Sequence, residues 1–227
     1  FMKNINGTIF GDDPSQGMVI DGEFIHPGLN FSIKIPDNFA IENSSKSLVA
    51  LKESIGLIKI DISKKGEYHS DPVTYLKNIW KDTSNLKFIE EIDINTFQAA
   101  TGLVFTKGRI NKYSGKIQIR YIAVRLDESK YLRFVFVSRS NNEIFSDADF
   151  KSMVFTLRNL NSYDLEKVKP LRVFYFKVQS DVAVDKFISK EMQGLYKRER
   201  FKLLNKLDNN ILKEGTYLKL LKYKELE

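Results

Sequence analysis

Residues 116–139 read KIQIRYIAVRLDESKYLRFVFVSR, and this stretch decides the fold. Two runs rich in β-branched and aromatic residues, Lys116–Leu126 and Tyr131–Val137, are separated by a polar break that begins Asp127-Glu128-Ser129. Apolar runs of this length with a short polar break are typical of antiparallel strands joined by a tight turn. The stretch therefore predicts two neighbouring strands of one antiparallel sheet.

Further strand-like runs precede this hairpin in the chain. They are rich in apolar residues, in part alternating with polar ones, and turn-forming residues lie between them, as expected of strands in one sheet. The runs are Phe31–Ile35, Leu48–Leu51, Leu57–Ile62, Leu86–Ile94 and Phe97–Thr106. Leu48–Leu51 and Leu57–Ile62 predict a hairpin of their own, and the last two runs together with the two strands of residues 116–139 predict an antiparallel meander of at least four strands.

Two helices are predicted beside these strands. Asp71-Pro72 places a capping side chain before a proline at the first helical position, and apolar residues at helical spacing follow as far as Trp80. A second helix is predicted over Ser146–Phe155, with Ser146 or Asp147 as its cap. Strands flanked by two helices predict an α+β fold class, an antiparallel sheet with flanking helices in a sandwich.

A different, smaller unit is predicted after the polar stretch 159–170, which reads as a linker. The remaining chain has the order β-α-α-β. Its predicted elements are a strand at 173–178, a helix capped by Asp181, a helix at 196–204 and a final strand at 211–221 that is broken at Gly215. The predicted organisation is a lead-in over residues 1–30, an α+β domain over residues 31–160 and a small domain over residues 171–223.

Composition limits the classes of function. The chain has no cysteine, which excludes disulfides and thiolate metal sites. No apolar run approaches the roughly 18 residues of a membrane span, so none is predicted. The chain does not begin with methionine and shows no signal-peptide pattern, so we expect that a segment upstream was removed.

The net charge of +7 lies mostly in residues 171–227, which hold 13 Lys/Arg against 8 Asp/Glu. This basic surplus favours nucleic acid, anionic lipid or an acidic polymer as a partner, unless the lysines only cover solvated faces. The densest basic stretch, residues 197–202, would place its charges on several faces of a helix rather than along one stripe. Phe134 and Phe136 share one face of a strand, but the glycine-containing run of an RNA-binding sheet is missing. We therefore predict no nucleic-acid partner.

Residues that could carry catalysis are few. The two histidines, His26 and His69, each lie beside turn-forming residues, and no H-E-x-x-H helix is present. Ser84 and Lys87 match a bare S-x-x-K spacing where a helix is predicted to give way to a strand, which does not suit a serine–lysine pair. We predict no catalytic residue, no metal ligand and no cofactor in this chain.

The first half of the chain resembles a known family. The stretch 10–17, FGDDPSQG, is followed by Phe24-Ile25-His26-Pro27, and then by Pro36, Phe39 and Asn43. This pattern resembles the region downstream of the catalytic domain in periplasmic zinc metalloproteases related to the CAAX prenyl proteases. The resemblance implies a zinc-binding catalytic domain upstream and a noncatalytic remainder here, with His26 matching the family's H-P pair and not a zinc ligand.

Two modules are implied by further resemblance. The sheet with its helices at 72–80 and near Phe150 looks like a PsbP-like sandwich, an interaction module. Residues 171–223 are similar to a LysM domain, which binds N-acetylglucosamine polymers such as peptidoglycan. Ser180 and Val182 replace the glycine and threonine of that family's turn. The glycan-binding residues that the resemblance implies are Ser180, Asp181, Val182, Asn205, Leu207, Asn209 and Ile211.

We therefore expect a noncatalytic substrate- or partner-binding region of an envelope zinc metalloprotease, located in the periplasm or cell envelope of a Gram-negative bacterium. Its expected partner is a protein or the upstream protease domain. The alternative is a module that binds and anchors to peptidoglycan. Zinc is expected only in the upstream domain.

Overall fold

The computed structural model describes residues 5–11, 13–53, 55–80, 85–110, 112–140, 145–194, 196–207 and 209–223. The strands are β1 Met18–Ile20, β2 Glu23–His26, β3 Phe31–Lys34, β4 Ala40–Asn43, β5 Ser47–Lys52, β6 Gly56–Ile62, β7 Lys87–Ile94, β8 Phe97–Ile110, β9 Tyr113–Arg125, β10 Tyr131–Arg139, β11 Arg158–Asn159, β12 Leu171–Lys177, β13 Val182–Ala183, β14 Ile211–Leu212 and β15 Tyr217–Tyr223. The helices are α1 Pro72–Thr74, continued by a π-helical turn Tyr75–Ile79, α2 Asp147–Val154, α3 Ser162–Lys167, α4 Val184–Glu191 and α5 Lys197–Asn205.

The chain divides into two units. One comprises residues 16–161, and the other joins the described residues up to Ser15 to those from Ser162 onward. We call them the sheet unit and the terminal unit.

A seven-stranded antiparallel sheet, in the order β4-β5-β6-β10-β9-β8-β7, forms the centre of the sheet unit. The predicted hairpin is confirmed, because β9 and β10 pair from Arg125–Tyr131 to Ile117–Arg139. The long pairing follows from the apolar, β-branched composition of both runs. This hairpin fixes which side chains of the neighbouring strands share a face, since successive residues of a strand point to opposite sides.

One face of this sheet, the closed face, packs against a second layer. Its core contains Leu48, Ile58, Ile60, Phe134 and Phe136, together with residues of α2 and of a small sheet. The small sheet has the order β1-β2-β3-β11. Phe136 stacks on Phe150 of α2 with ring centroids 4.8 Å apart. Burial of these large side chains, at 1.5 to 3 kcal/mol each on a rough scale, stabilises the two layers.

The predicted helix-flanked α+β sandwich is wrong. The structure is mostly β, with 45% of the described residues in strands and 22% in helices. Phe31–Ile35, which was assigned to the main sheet, belongs instead to the small sheet with β1, β2 and β11. The turn-rich lead-in supplies β1 and β2. These strands are too short, and the turns around them too frequent, for an alternation of apolar and polar residues to be recognised in the sequence. The layer over the closed face is therefore largely a second sheet.

The opposite face carries the helical segment Pro72–Ile79, which packs mainly on β7, β8 and β9. The predicted cap at Asp71 is confirmed, since its carboxylate accepts hydrogen bonds from the backbone N–H groups of Val73 and Thr74. Tyr75 stacks on Tyr131 of β10 with ring centroids 3.9 Å apart. Strands β4, β5 and β6 lie beside this covered region, and we call their exposed side, with the adjoining part of β10 and β9, the open face.

The helix α2 is anchored by charge as well as by apolar contact. Ser146 and Asp149 form a capping box, which confirms the predicted cap at Ser146. Arg120 of β9 is 5% exposed and binds Asp147 through both Nε and Nη2, and its Nη1 donates to the Thr101 hydroxyl. A guanidinium that is fully bonded in this way can be buried on the closed face without an uncompensated charge.

The terminal unit is built around β12 and β15, which pair along their full length from Leu171–Tyr223 to Lys177–Tyr217. Helices α4 and α5 lie between these strands in the chain, and Phe187, Phe201 and Leu220 belong to their shared core. The described N-terminal segment joins this unit, because Gly7 and Phe10 donate backbone hydrogen bonds to Val173 and Leu171. No helix in the described ranges is long and apolar enough to cross a membrane.

One local prediction for the terminal unit is confirmed and one is wrong. The predicted break of the final strand at Gly215 is confirmed, since β14 and β15 lie on either side of it, and β14 forms a second small pairing with β13. Asp181 caps no helix. The helix α4 begins after Ala183 without a side-chain cap, and the carboxylate of Asp181 turns instead to the loop before β15.

Candidate binding surfaces

A polar groove of about 850 Å³ lies at one end of the open face. It is formed by the turn between β4 and β5, by β6 and β10, and by the end of the helical segment. The side chains that line it are Ser45, Lys46, Ser47, Lys59, Asp61, Ile62, Lys64, Glu67, Trp80 and Arg133. Its volume lies in the range of pockets that bind small ligands or short peptide segments.

Arg133 organises this groove. It is 9% exposed, and its Nε donates to Asp61 at 2.6 Å while Nη1 donates to Glu67 at 3.4 Å. Lys59 forms an ion pair with the second oxygen of Asp61 at 2.8 Å. Burial alone lowers the pKa of Arg133, but the hydrogen bond and the charge of Asp61 reverse this and raise it. The guanidinium is therefore held in place as a fixed positive group.

Aromatic residues support Arg133 from below. Its guanidinium lies over the ring of Trp80, 5.2 Å from the centroid, in a cation–π contact. The hydroxyl of Tyr75 is buried close by without a well-formed hydrogen bond among the described residues. Burial raises the pKa of Tyr75, so this hydroxyl stays protonated at neutral pH. The floor of the groove is thus a rigid aromatic and guanidinium layer.

Two lysines at the rim are free to bind a ligand. Lys46 and Lys64 are exposed, and within the described ranges their ammonium groups form no ion pair. The four basic and two acidic side chains of the lining leave the groove with a positive balance. Asp61 and Glu67 are already committed to Arg133, so an incoming anion would meet Lys46 and Lys64 first. This geometry favours acidic ligands.

An aliphatic row continues from the groove across the open face. Successive members lie directly opposite each other in the strand register. In spatial order they are Ala40, Leu51, Leu57, Val137, Ile119 and Val104. Leu51, Leu57 and Val137 are half-buried but belong to neither core of this unit. These three residues are therefore apolar surface rather than core, whereas Ile119 and Val104 pack against the core under the helical segment.

Analysis of the sequence missed both features of the open face. The groove draws its charged side chains from separate strands and loops, which no local pattern joins. One signal was available: Arg133 interrupts the apolar run Tyr131–Val137, and a charged residue within a buried strand needs a partner. Such a position indicates an ion-pair network, although it does not name Asp61 or Glu67.

The residues predicted to bind glycan fall into two groups in the terminal unit. The pairing of β13 with β14 sets Val182 opposite Leu212 and Ala183 opposite Ile211, so Val182 and Ile211 are neighbours across the pair. Asp181 accepts hydrogen bonds from Lys213 Nζ at 2.7 Å and from the Glu214 backbone N–H at 2.9 Å, which hold the stretch Ser180–Val182 against the loop before β15. These bonds also lower the pKa of Asp181, with the Lys213 bond as the main cause.

The other two predicted residues serve the fold. The side-chain amide of Asn205 donates to the carbonyls of Phe201 and Lys219, and its oxygen accepts from the Lys219 N–H at 2.7 Å. Leu207 packs against the core of the terminal unit. Ser180 and Asn209 are exposed, and Ile211 is 54% exposed. The stretches Ser180–Val182 and Asn209–Ile211, which we call the paired loops, thus meet at Val182 and Ile211 and diverge from there.

Neither histidine lies in a metal cluster. His26 packs between the rings of Phe24 and Phe31, and burial lowers its pKa. The Nδ1 atom of His69 accepts a hydrogen bond from the Asp71 N–H at 3.0 Å. No three His, Cys, Asp or Glu side chains of the described residues could jointly hold a metal ion. Ser84, of the S-x-x-K spacing, lies outside the described residues.

Comparisons with known proteins add little. No family profile matches the chain, and no curated protein is significantly similar to it. A solved structure from Bacteroides thetaiotaomicron VPI-5482 aligns with 84% of this chain at 14% sequence identity, with a TM-score of 0.46. The chain spans 59% of the length of that structure.

Proposed function

We propose that this chain is a noncatalytic substrate- and partner-binding region of a bacterial envelope zinc metalloprotease whose catalytic domain lies upstream. The groove on the open face carries this proposal. The compartment proposed with it is the periplasm or cell envelope of a Gram-negative bacterium, which follows from the resemblance of the stretch 10–43.

The chemistry of the groove supports binding rather than bond cleavage. A carboxylate that acts as a general acid or base must be free to exchange a proton with a substrate. Asp61 is instead held between Arg133 and Lys59, and Glu67 contacts Arg133. What remains available is the pair of free ammonium groups of Lys46 and Lys64 above a rigid floor. These groups suit the acidic side chains of an unfolded client polypeptide.

The test is the binding of fluorescein-labelled β-casein, an unfolded and acidic protein, to the full chain by fluorescence anisotropy. We expect saturable binding that weakens as ionic strength rises, because exposed charges are screened. The double substitution Lys46→Glu with Lys64→Glu should weaken binding at least fivefold. Cleavage of the casein by the purified chain, seen as fragments on a gel, would contradict the noncatalytic assignment.

A matched control separates a site from general charge. Lys197→Glu with Lys202→Glu makes the same change in net charge on α5, where both side chains are exposed. This variant should bind casein like the unchanged chain. Equal weakening by the two pairs would mean that the positive charge of the whole chain, and not the groove, attracts casein.

A second candidate function is peptidoglycan binding by the terminal unit. The paired loops favour it, because Val182 and Ile211, which the sequence assigned to one glycan site from two distant stretches, are neighbours across the pairing of β13 with β14. Exposed Ile211 offers an apolar surface for a sugar ring, and the exposed amide of Asn209 offers hydrogen-bond donors and acceptors. Asn205 takes no part in this surface, since its amide is used within the fold.

Titration calorimetry with chitohexaose and co-sedimentation with purified sacculi test this candidate. Saturable binding that is lost in Ile211→Asp would support it. Leu203→Asp is the matched control, because Leu203 is an equally apolar and even more exposed residue on α5. No binding by the unchanged chain, or equal loss in both variants, would remove the glycan function and leave the protein-binding one.

A further inference from the structure

We propose that the aliphatic row of the open face is the docking site for an amphipathic α-helix with acidic flanks. This inference rests on the proposed binding function and names the class of partner. The row crosses six strands, from Ala40 of β4 to Val104 of β8. At a strand spacing of about 4.8 Å its length is roughly 24 Å.

The row lies beside a helical layer that is already present. The segment Pro72–Ile79 covers the same sheet face over β7, β8 and β9, and Val104 and Ile119 pack against the core beneath it. Leu51, Leu57 and Val137 continue the apolar surface beyond that core. A helix laid on these residues would extend the existing layer across the sheet, as a second layer normally covers an apolar sheet face.

Backbone hydrogen bonding favours a helix over an extended segment. Strands β5, β6, β10 and β9 beneath the row are paired on both sides, and only β4 at the end of the row is an edge strand, so away from that edge the face offers apolar side chains and no free backbone groups. An extended peptide on this face would leave its own N–H and C=O groups without protein partners, which is costly when they are buried. A helix satisfies these groups internally. About 10 residues of helix span the roughly 14 Å from Ala40 to Val137 that lies outside the core under the helical segment, and about 16 residues span the whole row.

The charges on the two sides of the row determine which side chains the docked helix should carry on its flanks. The groove on one side has a positive balance, with Lys46 and Lys64 free of ion pairs among the described residues. On the other side lies Arg139, whose guanidinium is 4.2 Å from the ring centroid of Tyr113. Its buried Nε has no hydrogen-bond partner in the part of the chain that the structure describes.

The acidic side chains on this face do not cancel the positive charge of Lys46, Lys64 and Arg139. Asp61 and Glu67 are held by Arg133, and Glu53 pairs with Lys112 at 3.1 Å. Glu42, at the edge strand, is the exposed carboxylate that a partner would meet. Two copies of this face would bring basic groups together, so a second copy of the chain is a poorer occupant. A helix with leucines along one stripe and glutamates on both sides of it matches the face.

The probe is a labelled 18-residue peptide with leucine at helical spacing and glutamate on both flanks, titrated with the full chain by anisotropy. We expect saturable binding and an increase in peptide helicity by circular dichroism. A peptide with lysine in place of every glutamate should bind at least tenfold more weakly, and a scrambled peptide of the acidic composition should not bind measurably. Equal binding of all three peptides would overturn the proposal.

Variants of the chain locate the site. Leu57→Glu places a negative charge at the centre of the row and should weaken binding of the acidic peptide at least tenfold. Leu51→Glu, nearer the edge, provides a second test if Leu57→Glu folds poorly by circular dichroism. Phe155→Glu is the control, because Phe155 is an exposed apolar residue of the same unit outside the row. Unchanged binding in a folded Leu57→Glu or Leu51→Glu variant would overturn the proposal.

The result of the peptide-binding test can be distinguished from the result of the casein-binding test of the proposed function. Casein binding depends on Lys46 and Lys64 in the groove, whereas peptide helicity depends on the row. Casein binding without helix binding would remove only the helical partner. Helix binding without casein binding would keep the docking site and remove unfolded clients from the proposed function.

Discussion

The two faces of the seven-stranded sheet use the same strands in opposite ways. On the closed face, Phe134, Phe136 and Ile60 are fully covered by α2 and the small sheet. On the other, Val137 and Leu57 alternate with those residues along the same strands but stay half-exposed. Because successive residues point to opposite sides, one strand can stabilise the fold with one set of side chains and bind with the other.

This difference indicates where substitutions should cost stability and where they should cost binding. Loss of a closed-face residue opens a cavity, while loss of an open-face residue leaves a surface that water already reaches. Arg133 and Asp71 lie between these extremes. They organise the groove and the helical segment through charge and hydrogen bonds, and their effects should be intermediate.

The largest effect is expected at Phe134 on the closed face. Phe134→Ala should lower the free energy of unfolding by about 3 to 5 kcal/mol, because a fully buried aromatic ring is removed from a packed core. Urea unfolding followed by circular dichroism measures this change. A loss below about 1 kcal/mol would mean that the closed face is loosely packed, and the contrast between the faces would disappear.

Arg133→Met should have the next largest effect and lower the free energy of unfolding by about 2 to 3 kcal/mol, because it leaves Asp61 and Glu67 without their guanidinium partner. The same substitution should weaken casein binding by disordering the groove. The double variant that adds Asp61→Asn should recover part of the stability, which a double-mutant cycle measures. A change in the free energy of unfolding on Asp61→Asn that is the same with and without Arg133 would show that the network is not coupled.

Asp71→Ala should lower the free energy of unfolding by about 1 kcal/mol, the usual value for an N-cap. The substitution loosens the helical segment Pro72–Ile79, which lies beside the open face. The hydrogen bond from the Thr74 side chain is the main cause that lowers the pKa of Asp71 in the folded chain. Because the folded pKa lies below the unfolded one, this stabilisation is present at neutral pH and is lost as the pH falls through the folded pKa.

Asp71→Asn separates the charge from the cap, since asparagine also caps helices but does not titrate. The stability advantage of the unchanged chain over this variant should be greatest at pH 7 and vanish in acid. Urea midpoints of both proteins at several pH values between 7 and 2.5 measure it. An advantage that grows as the pH falls would contradict the sign of the pKa shift.

The smallest effect is expected in the aliphatic row. Leu51→Ser should change the free energy of unfolding by about 0.5 kcal/mol or less, as surface substitutions do, since Leu51 belongs to neither core. The same variant should still weaken binding of the acidic helical peptide. A loss above about 2 kcal/mol would place Leu51 in the core and end the distinction between the two faces.

Most strands of the main sheet could be predicted from the sequence, because local alternation and turn residues suffice to place Tyr131–Val137 and its neighbours. Caps at Asp71 and Ser146 were equally local and are confirmed. The assignment of Phe31–Ile35 to the main sheet was wrong because pairing partners are not a local property. Alternation shows that β3 is a strand, but only tertiary packing decides that it joins β2 and β11.

The binding surfaces also differ in how much of them the sequence could predict. The paired loops of the terminal unit contain five of the seven residues predicted for a glycan site, because a resemblance supplied both stretches at once. Asn205 could not be assigned by pattern, since an exposed loop amide and a fold-bound amide have the same sequence signature. The groove required the register of β6 against β10, which places Asp61 opposite Arg133.

The terminal unit is discontinuous in sequence, and this affects how the protein is made. Thr8 and Phe10 exchange backbone hydrogen bonds with Val173 and Leu171, more than 160 residues later. During synthesis the early segment leaves the ribosome long before its partner strand exists, whereas the sheet unit between them has all its strands at hand. The sheet unit should therefore fold first and bring the two ends together, which shortens the loop that the terminal unit has to close.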